Sequence, residues 1–144
     1  MKIGVFTPLL SQLSLSMVLA RLKQLDIETI ELGTGNYPGD AHCKLSMLDD
    51  AQALAEFRRV LADGGLLLLA VHAGEEVRHS AEWFGAAVDV SFRFFDPGWL
   101  SAELDRAGFT VEALTRRQPY PGAEVATERA YFMARARPAQ APVK

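Results

Sequence analysis

An α/β protein of one domain is the fold class that this sequence predicts, and three observations lead to it. Short apolar or alternating segments have the length and the residue types of β-strands. Stretches between them repeat apolar residues at helical spacing. The length of 144 residues is enough to bury a core in a single domain. We therefore expect a three-layer αβα structure with about five strands, mostly parallel, that ends in an antiparallel hairpin.

The N-terminal segment predicts a βαβ unit. Lys2–Phe6 is a short apolar strand, Ser14 is a candidate N-cap for an amphipathic helix, and Thr29–Leu32 is a second strand. Two strands joined by a helix run parallel with a right-handed crossover. The polar, glycine-rich loop Gly33–Cys43 then follows the carboxyl end of the second strand.

The middle segment predicts a helix and a central strand. Asp49 or Asp50 caps a helix that stops at Asp63-Gly64-Gly65, because glycine readily takes the left-handed conformation after a helix. Leu66–Val71 is apolar throughout, as in a strand covered on both faces. We expect this strand to have the N-terminal strands on one edge and the C-terminal hairpin on the other.

The C-terminal segment predicts a strand, a helix and a hairpin. Val88–Phe94 alternates apolar and polar residues, and Asp96-Pro97 has the N-cap and first-turn residues of a helix. Phe109–Arg117 and Ala126–Arg135 form an antiparallel pair around a Pro-Gly turn. Residues 138–144 form a frayed tail.

Composition restricts the possible partners. The net charge is −3, and nucleic-acid binders usually carry a basic face, so no nucleic-acid partner is expected. Leu66–Val71 is too short to cross a bilayer, so no membrane partner is expected either. Cys43 is the only cysteine, which excludes an intrachain disulfide and a cysteine-rich zinc site and suits the reducing cytoplasm.

Most of the chain resembles a known enzyme family. The segment Glu56–Gly65, followed by Leu66–His72, resembles the "EFxRVLxPGGxLLLxxH" segment of class I S-adenosylmethionine-dependent methyltransferases, with Asp63 in the place of the usual proline. The resemblance continues through Phe92–Pro97 and Leu104–Phe109. It implies that residues 48–137 correspond to the C-terminal half of that family, which is a Rossmann-like fold.

The first third of the chain resembles a different family. Residues 1–43 are similar to the opening βαβ of sugar-phosphate isomerases and epimerases of the xylose-isomerase-like TIM-barrel group. A TIM barrel needs about 250 residues, so this chain cannot be one. We therefore expect a chimera within one domain, 1–144, in which an isomerase-like segment, 1–47, precedes the methyltransferase-like segment. A natural fusion, an engineered fusion and a sequencing artefact near residue 48 all remain open.

The resemblance to methyltransferases implies a place for the methyl acceptor. His72 ends the central strand, in the region that faces the acceptor, and is the candidate catalytic residue that orients or deprotonates it. Glu75, His79, Trp83 and Arg93 are candidate substrate-binding residues. His72 is alternatively a residue that only packs locally. The aromatic group either walls a pocket or covers a small core; it consists of Trp83, Phe84, Phe92, Phe94 and Phe95.

The residues that hold the methyl donor in that family have no clear counterpart here. The donor needs a glycine-rich turn and an acidic residue for the ribose. Glu31, Gly33 and Gly35 are the nearest candidates for cofactor binding, but they match the family's turn only weakly, and Gly33–Asn36 is alternatively a plain surface loop. We expect S-adenosylmethionine to bind weakly or not at all. No metal site is expected, because the spacing of His72 and His79 fixes no geometry.

The function that this resemblance implies is methyl transfer from S-adenosylmethionine to an unknown small-molecule acceptor. Because the donor-binding half is missing, the chain is expected to be inactive alone. Two alternatives remain: a remnant of a sugar-phosphate isomerase, and a non-catalytic domain that forms homo-oligomers through exposed apolar surface.

Overall fold

The computed structural model describes residues 3–35, 39–44, 46–47, 60–83 and 85–138. The chain divides into two compact units, Met1–Arg58 and Arg59–Lys144. Three predicted features lie outside the described residues: the helix that begins at Asp49 or Asp50, the ring of Phe84, and the tail after Pro138. The prediction of one domain stays a prediction.

The first unit has the predicted βαβ order. It consists of strand β1 (Gly4–Phe6), a 3-10 helix (Thr7–Leu10), helix α1 (Leu15–Gln24) and strand β2 (Thr29–Glu31). The two strands pair in parallel, with Val5 opposite Ile30. The predicted N-cap is confirmed, since the Ser14 hydroxyl accepts a hydrogen bond of 3.3 Å from the backbone N–H of Met17. Helix α1 buries Val18 and Leu22, the apolar stripe expected of it.

The second unit is built mainly from hairpins. Its elements are β3 (Leu66–His72), β4 (Val77–Trp83), β5 (Ala86–Arg93), helix α2 (Pro97–Arg106), β6 (Phe109–Arg117) and β7 (Arg129–Ala136). Strands β3, β7 and β6 form one sheet in that order, and every neighbouring pair in it is antiparallel. Strands β4 and β5 form a separate antiparallel pair. The predicted C-terminal hairpin, β6–β7, is therefore present beside β3.

The predicted fold class is wrong. We expected a three-layer Rossmann-like sheet of about five mostly parallel strands, but the described strands form three small sheets, and only β1 and β2 are parallel neighbours. The N-terminal strands pair with each other and not with β3. An extra hairpin also follows β3, because the chain turns back at Gly85, whose φ of 79° is easy only for glycine. The antiparallel pairs β3–β7, β4–β5 and β6–β7 stand where we expected mostly parallel neighbours.

The apolar run of β3 was the main source of this error. We read it as a strand covered on both faces, but Leu66 and Leu68 are 53% and 74% exposed. Only the alternate side chains, Leu67, Leu69 and Val71, pack against the core. A continuous apolar run therefore does not show by itself that both faces of a strand are covered.

The core of the second unit lies between one face of the three-stranded sheet and helix α2. Phe132 of β7 is fully buried at its centre and packs with Phe109 and with Leu104 of the helix. The helix begins as predicted, since the Asp96 carboxylate accepts a hydrogen bond of 2.7 Å from the N–H of Trp99. Among the described residues, no helix is both long and apolar enough to cross a membrane.

Candidate functional site

A polar cluster lies at the carboxyl end of β3. His72 is the last residue of β3 and stands opposite Arg129, the first residue of β7. Its Nδ1 atom is 2.7 Å from the hydroxyl oxygen of Thr127 and 2.8 Å from Nη1 of Arg129. Thr127 is only 6% exposed, so the hydroxyl that contacts the imidazole is buried. The antiparallel register of β3 and β7 thus assembles this cluster from residues far apart in sequence.

The hydrogen bonds define the chemical state of His72. A guanidinium has only donors, so Nδ1 of His72 accepts the hydrogen bond from Arg129 and carries no proton. In the neutral ring the proton is then on Nε2. Burial lowers the pKa of His72 from its usual value of 6.5, and the positive charges of Arg129 and Arg78 lower it further. Near neutral pH the ring therefore offers an N–H donor at Nε2 and no lone pair for general-base catalysis there.

Phe94 holds the other side of the imidazole. Its ring centroid is 5.2 Å from that of His72, and the Arg78 guanidinium lies 4.8 Å from the same ring. The backbone fixes this arrangement, because the N–H of Phe95 donates to the carbonyl of His72 at 2.9 Å and the N–H of Phe94 donates to the carbonyl of Glu76. The ring of His72 is thus oriented by contacts on two sides.

Phe94 also lines an open pocket of about 320 Å³. The other lining residues are Gly74, Glu75, Arg93, Phe95, Asp96 and Trp99. The Phe95 and Trp99 rings stack with centroids 6.1 Å apart and give the pocket an aromatic wall. A Cβ on Gly74 would lie 3.3 Å from atoms of the Phe94 side chain, so glycine allows this close approach.

The structure brings together some of the predicted site residues and separates others. Glu75 and Arg93 line the pocket beside Phe94, close in the fold to His72. His79 is exposed on β4, where its Nδ1 is 3.5 Å from a carboxylate oxygen of Asp89. Trp83 packs on Phe92 with ring centroids 5.4 Å apart. Neither His79 nor Trp83 lines the pocket, and the roles predicted for all four substrate-binding residues stay predictions.

Sequence reasoning missed Thr127 and Arg129. Arg129 is one of several arginines in the C-terminal segment, and no sequence motif marks it. An antiparallel strand beside β3 brings its first residue next to the last residue of β3, so β7 could have been expected to supply a neighbour for His72. The sequence does not show which residue of β7 this is, because the register between β7 and β3 was unknown.

A larger open pocket, of about 540 Å³, lies near the amino end of β3 and includes Gly64, Thr110 and Arg135. Its charged groups are already engaged with one another or with neighbours. Arg135 donates to Glu112, and Arg137 pairs with Asp105 at 2.6 Å. This pocket therefore offers less unused hydrogen-bonding capacity than the cluster around His72.

The candidate cofactor residues lie in the first unit. The side chain of Glu31 is exposed, while its carbonyl accepts a hydrogen bond of 3.1 Å from Thr7. Gly35 has a φ of 123°, and its N–H donates to the carbonyl of Gly39. The described chain then continues in a turn closed by Cys43 N–H to Asp40 C=O, not in a helix whose N-terminus faces the glycines. These residues do not fit the donor-binding turn of the resemblance, and their cofactor role stays a prediction.

The histidine and cysteine of the first unit have structural surroundings. His42 is 3% exposed, and its Nε2 lies 2.9 Å from the carbonyl oxygen of Leu13. Burial raises the pKa of the Cys43 thiol, and the charge of Asp40 raises it further. Among the residues that the structure describes, no group of three His, Cys, Asp or Glu side chains is placed to hold a metal ion.

Comparison with known proteins found only weak structural similarity. No protein-family model matches the chain, and no curated protein matches it. The crystal structure of the glycopeptide N-methyltransferase MtfA is similar over 93% of this chain and 89% of that chain, with a TM-score of 0.38 and 16% sequence identity. A match at this level establishes neither the fold nor the activity of this chain. None of these comparisons supports the isomerase-like origin of residues 1–43 or a chimera near residue 48.

Proposed function

We propose that this chain is a methyltransferase-like protein that keeps the acceptor side of an S-adenosylmethionine-dependent reaction and does not transfer a methyl group by itself. The observation that carries the proposal is the oriented His72 at the carboxyl end of β3. Residues 56–72 resemble class I methyltransferases, and this resemblance implies that the acceptor binds at this end of the strand. The Nε2–H of His72 has no acceptor among the described residues, and Phe94, which packs on its ring, lines an open aromatic pocket. This arrangement suits a donor that orients a small acceptor.

The second part of the proposal concerns the methyl donor. Its ribose and adenine need specific polar partners, and each polar group taken from water without a replacement bond costs about 1–3 kcal/mol. Two or three missing partners weaken binding roughly a hundredfold to a millionfold. We therefore expect isothermal calorimetry with S-adenosylmethionine, and with its demethylated product, to show no saturable binding. Low-micromolar binding that disappears in Glu31→Ala or Gly33→Val would contradict this part.

The acceptor part is tested by nuclear magnetic resonance of the histidine side chains. A library of small amines and alcohols is titrated into ¹⁵N-labelled protein, and the ring nitrogens of His72 and His79 are followed in the same spectra. We expect at least one compound to shift the His72 signals and to leave those of the exposed His79 in place. A His72→Ala variant should lose that binding, whereas His79→Ala should keep it. A library without such a compound would count against an acceptor site at His72.

A second candidate function is self-association without catalysis. Leu66, Leu68 and Met133 are exposed on one face of the three-stranded sheet, with 53%, 74% and 41% of their surface accessible. Contiguous exposed apolar side chains often mark protein interfaces. The mass of the chain in solution, considered in the Discussion, separates this candidate from the first.

A further inference from the structure

The arginines of the second unit show an uneven pattern of ion pairing. Eight arginines are described between residues 60 and 138, and six of them lie within 4.0 Å of a carboxylate oxygen. These pairs are Arg78–Glu76, Arg106–Glu103, Arg116–Glu128, Arg117–Glu124, Arg135–Glu112 and Arg137–Asp105. Arg93 and Arg129 have no such partner among the described residues. Arg93 is exposed to water, whereas Arg129 is partly buried, so the unpaired charge of Arg129 is the one that needs an explanation.

The contacts of Arg129 fix its guanidinium and leave part of it unused. The two hydrogens of Nη1 face three acceptors, which are the Thr127 carbonyl at 3.0 Å, Nδ1 of His72 at 2.8 Å and the Thr127 hydroxyl. Its Nε and Nη2 groups make no hydrogen bond to the residues that the structure describes. Nε and Nη2 together form one edge of the guanidinium, and such an edge binds two oxygens of a carboxylate side by side.

The carboxylate of Glu124, which lies near Arg129, is held by other donors and does not occupy that edge. Glu124 is close enough for the charge of Arg129 to contribute to lowering its pKa. However, both of its oxygens are held by Arg117, at 2.8 and 2.9 Å, and one also accepts from the N–H of Tyr120. The positive charge of Arg78, the other cation near His72, is balanced by Glu76 at 2.6 Å. The cluster therefore keeps one unbalanced positive charge, which matches a singly charged ligand.

We propose that Arg129 binds a carboxylate group of a small-molecule ligand through its Nε and Nη2 edge, and that His72 and Thr127 position the guanidinium by holding Nη1. The ligand is the methyl acceptor, and this part rests on the proposed function. A carboxylate fits better than a phosphate, because a phosphate dianion brings two negative charges to a cluster with one unbalanced positive charge. His72 acts here as a positioning residue and not as the residue that touches the carboxylate.

The binding test uses the full chain and simple anions. Sodium acetate, sodium benzoate and inorganic phosphate are titrated at constant ionic strength against sodium chloride, and the ¹H–¹⁵Nε signal of Arg129 is followed. We expect acetate and benzoate to shift this signal in a saturable way, and phosphate to bind less tightly. Tighter binding of phosphate would overturn the assignment of a carboxylate. A shift in chloride equal to that in acetate would overturn the site altogether.

Variants separate the role of each residue. Arg129→Lys keeps the charge but loses the two-point contact, so we expect affinity for acetate to fall at least about tenfold. Arg106→Gln, which removes an exposed and ion-paired arginine of α2, should leave binding unchanged. His72→Ala should weaken binding, and His72→Gln, whose side-chain carbonyl can accept from Nη1, should restore part of it. Equal binding in the wild-type chain and Arg129→Lys would contradict the proposal.

Two further measurements show whether each variant folds and whether acetate stabilises the folded chain. Circular dichroism and the rest of the ¹H–¹⁵N spectrum report whether each variant folds, and acetate should raise the melting temperature of the wild-type chain but not that of Arg129→Lys. The measurement needs neither methyl donor nor turnover. If acetate binds at Arg129 but no compound of the library binds at His72, the carboxylate site is upheld and the proposed function is refuted. If a compound that has no carboxylate binds at His72 while acetate does not bind at Arg129, the proposed function is upheld and the carboxylate site is refuted.

Discussion

Glu124 is the side chain with the largest set of donors in the loop between β6 and β7. Its carboxylate accepts hydrogen bonds from both Nη groups of Arg117 and from the backbone N–H of Tyr120. Arg117 in turn donates to the Tyr131 hydroxyl at 3.0 Å and lies 4.4 Å from the centre of the Tyr120 ring. These contacts tie the loop to the end of the hairpin, next to Thr127 and Arg129. We therefore regard Glu124 as the residue that orders this side of the candidate site.

The first prediction concerns the pH dependence of this loop. Hydrogen bonds from Arg117 and then from Tyr120 lower the pKa of Glu124 to about 2. Since an unfolded glutamate has a pKa of roughly 4.3, the folded state holds fewer protons than the unfolded state between these values. The stability from Glu124 is therefore complete above about pH 5 and is lost as the pH falls toward 2. In thermal unfolding at pH 7, the wild-type protein should have a higher melting temperature than Glu124→Gln. This difference in melting temperature should vanish near pH 2.

A matched variant tests whether this effect belongs to the loop. Glu103 pairs with Arg106 on the exposed surface of α2, one helical turn away, and such surface pairs contribute little. Glu103→Gln should therefore melt close to the wild-type chain at each pH. If the melting temperature of Glu124→Gln differs from that of the wild-type chain by the same amount at pH 2 and pH 7, the ionised carboxylate is not what stabilises the loop.

The residues of the candidate site were only partly predictable. His72 was found because it ends a recognisable strand of the family resemblance. Its partner Arg129 is 57 residues away, and the pairing depends on the length of the loop and on the register of β7 against β3. Neither quantity follows from local patterns, since a strand can slide by two residues and keep the same side chains on its faces. Local sequence thus indicated the position of the site but not the cation beside it.

At the scale of elements, β3 and α2 place leucines in opposite environments. Leu104 of α2 is 7% exposed and packs in the core, whereas Leu68 of β3 is 74% exposed. The same substitution at both positions therefore measures burial directly. The cost of removing a buried leucine includes both lost transfer free energy and the cavity left behind.

The second prediction uses this pair. Leu104→Ala should lower the free energy of unfolding by about 2–5 kcal/mol, and Leu68→Ala by less than about 1 kcal/mol. Urea unfolding followed by tryptophan fluorescence is suitable, because both tryptophans of the chain, Trp83 and Trp99, lie in the second unit. A cost at Leu68 as large as that at Leu104 would mean that the outer face of β3 is covered in solution.

The elements themselves were easier to predict than their pairing. Both helix starts depend on local chemistry, a serine or aspartate side chain that caps the first turn, and both were found at Ser14 and Asp96. Strand β5 followed from its alternation. The hairpin β4–β5 was missed because β4 is polar at most positions and mostly exposed, so it lacks the apolar face that indicates a strand. Without it, parallel crossovers were expected where the chain makes antiparallel turns.

At the scale of the whole molecule, β3 presents an edge that invites pairing. None of the described strands pairs with its outer edge, since β7 lies on the other side. Only at the carboxyl end is this edge occupied, where the N–H of Phe95 donates to the carbonyl of His72. Its seven residues include no lysine, proline or β-bulge, which are the features that usually protect an edge strand. A second copy, related by a two-fold axis, would pair with this edge in antiparallel fashion and bring the exposed leucines of both copies together.

The last prediction is therefore that the chain forms a dimer through β3. Light scattering after size exclusion should give twice the mass of one chain at high protein concentration. Leu68→Lys should give the monomer mass, because it places a charge beside the two-fold axis and, at an exposed position, costs the fold little. Leu9→Lys, at another exposed leucine in the first unit (83% exposed), should remain a dimer. A wild-type chain that stays monomeric at all concentrations would exclude self-association and leave acceptor binding at His72 as the remaining candidate function.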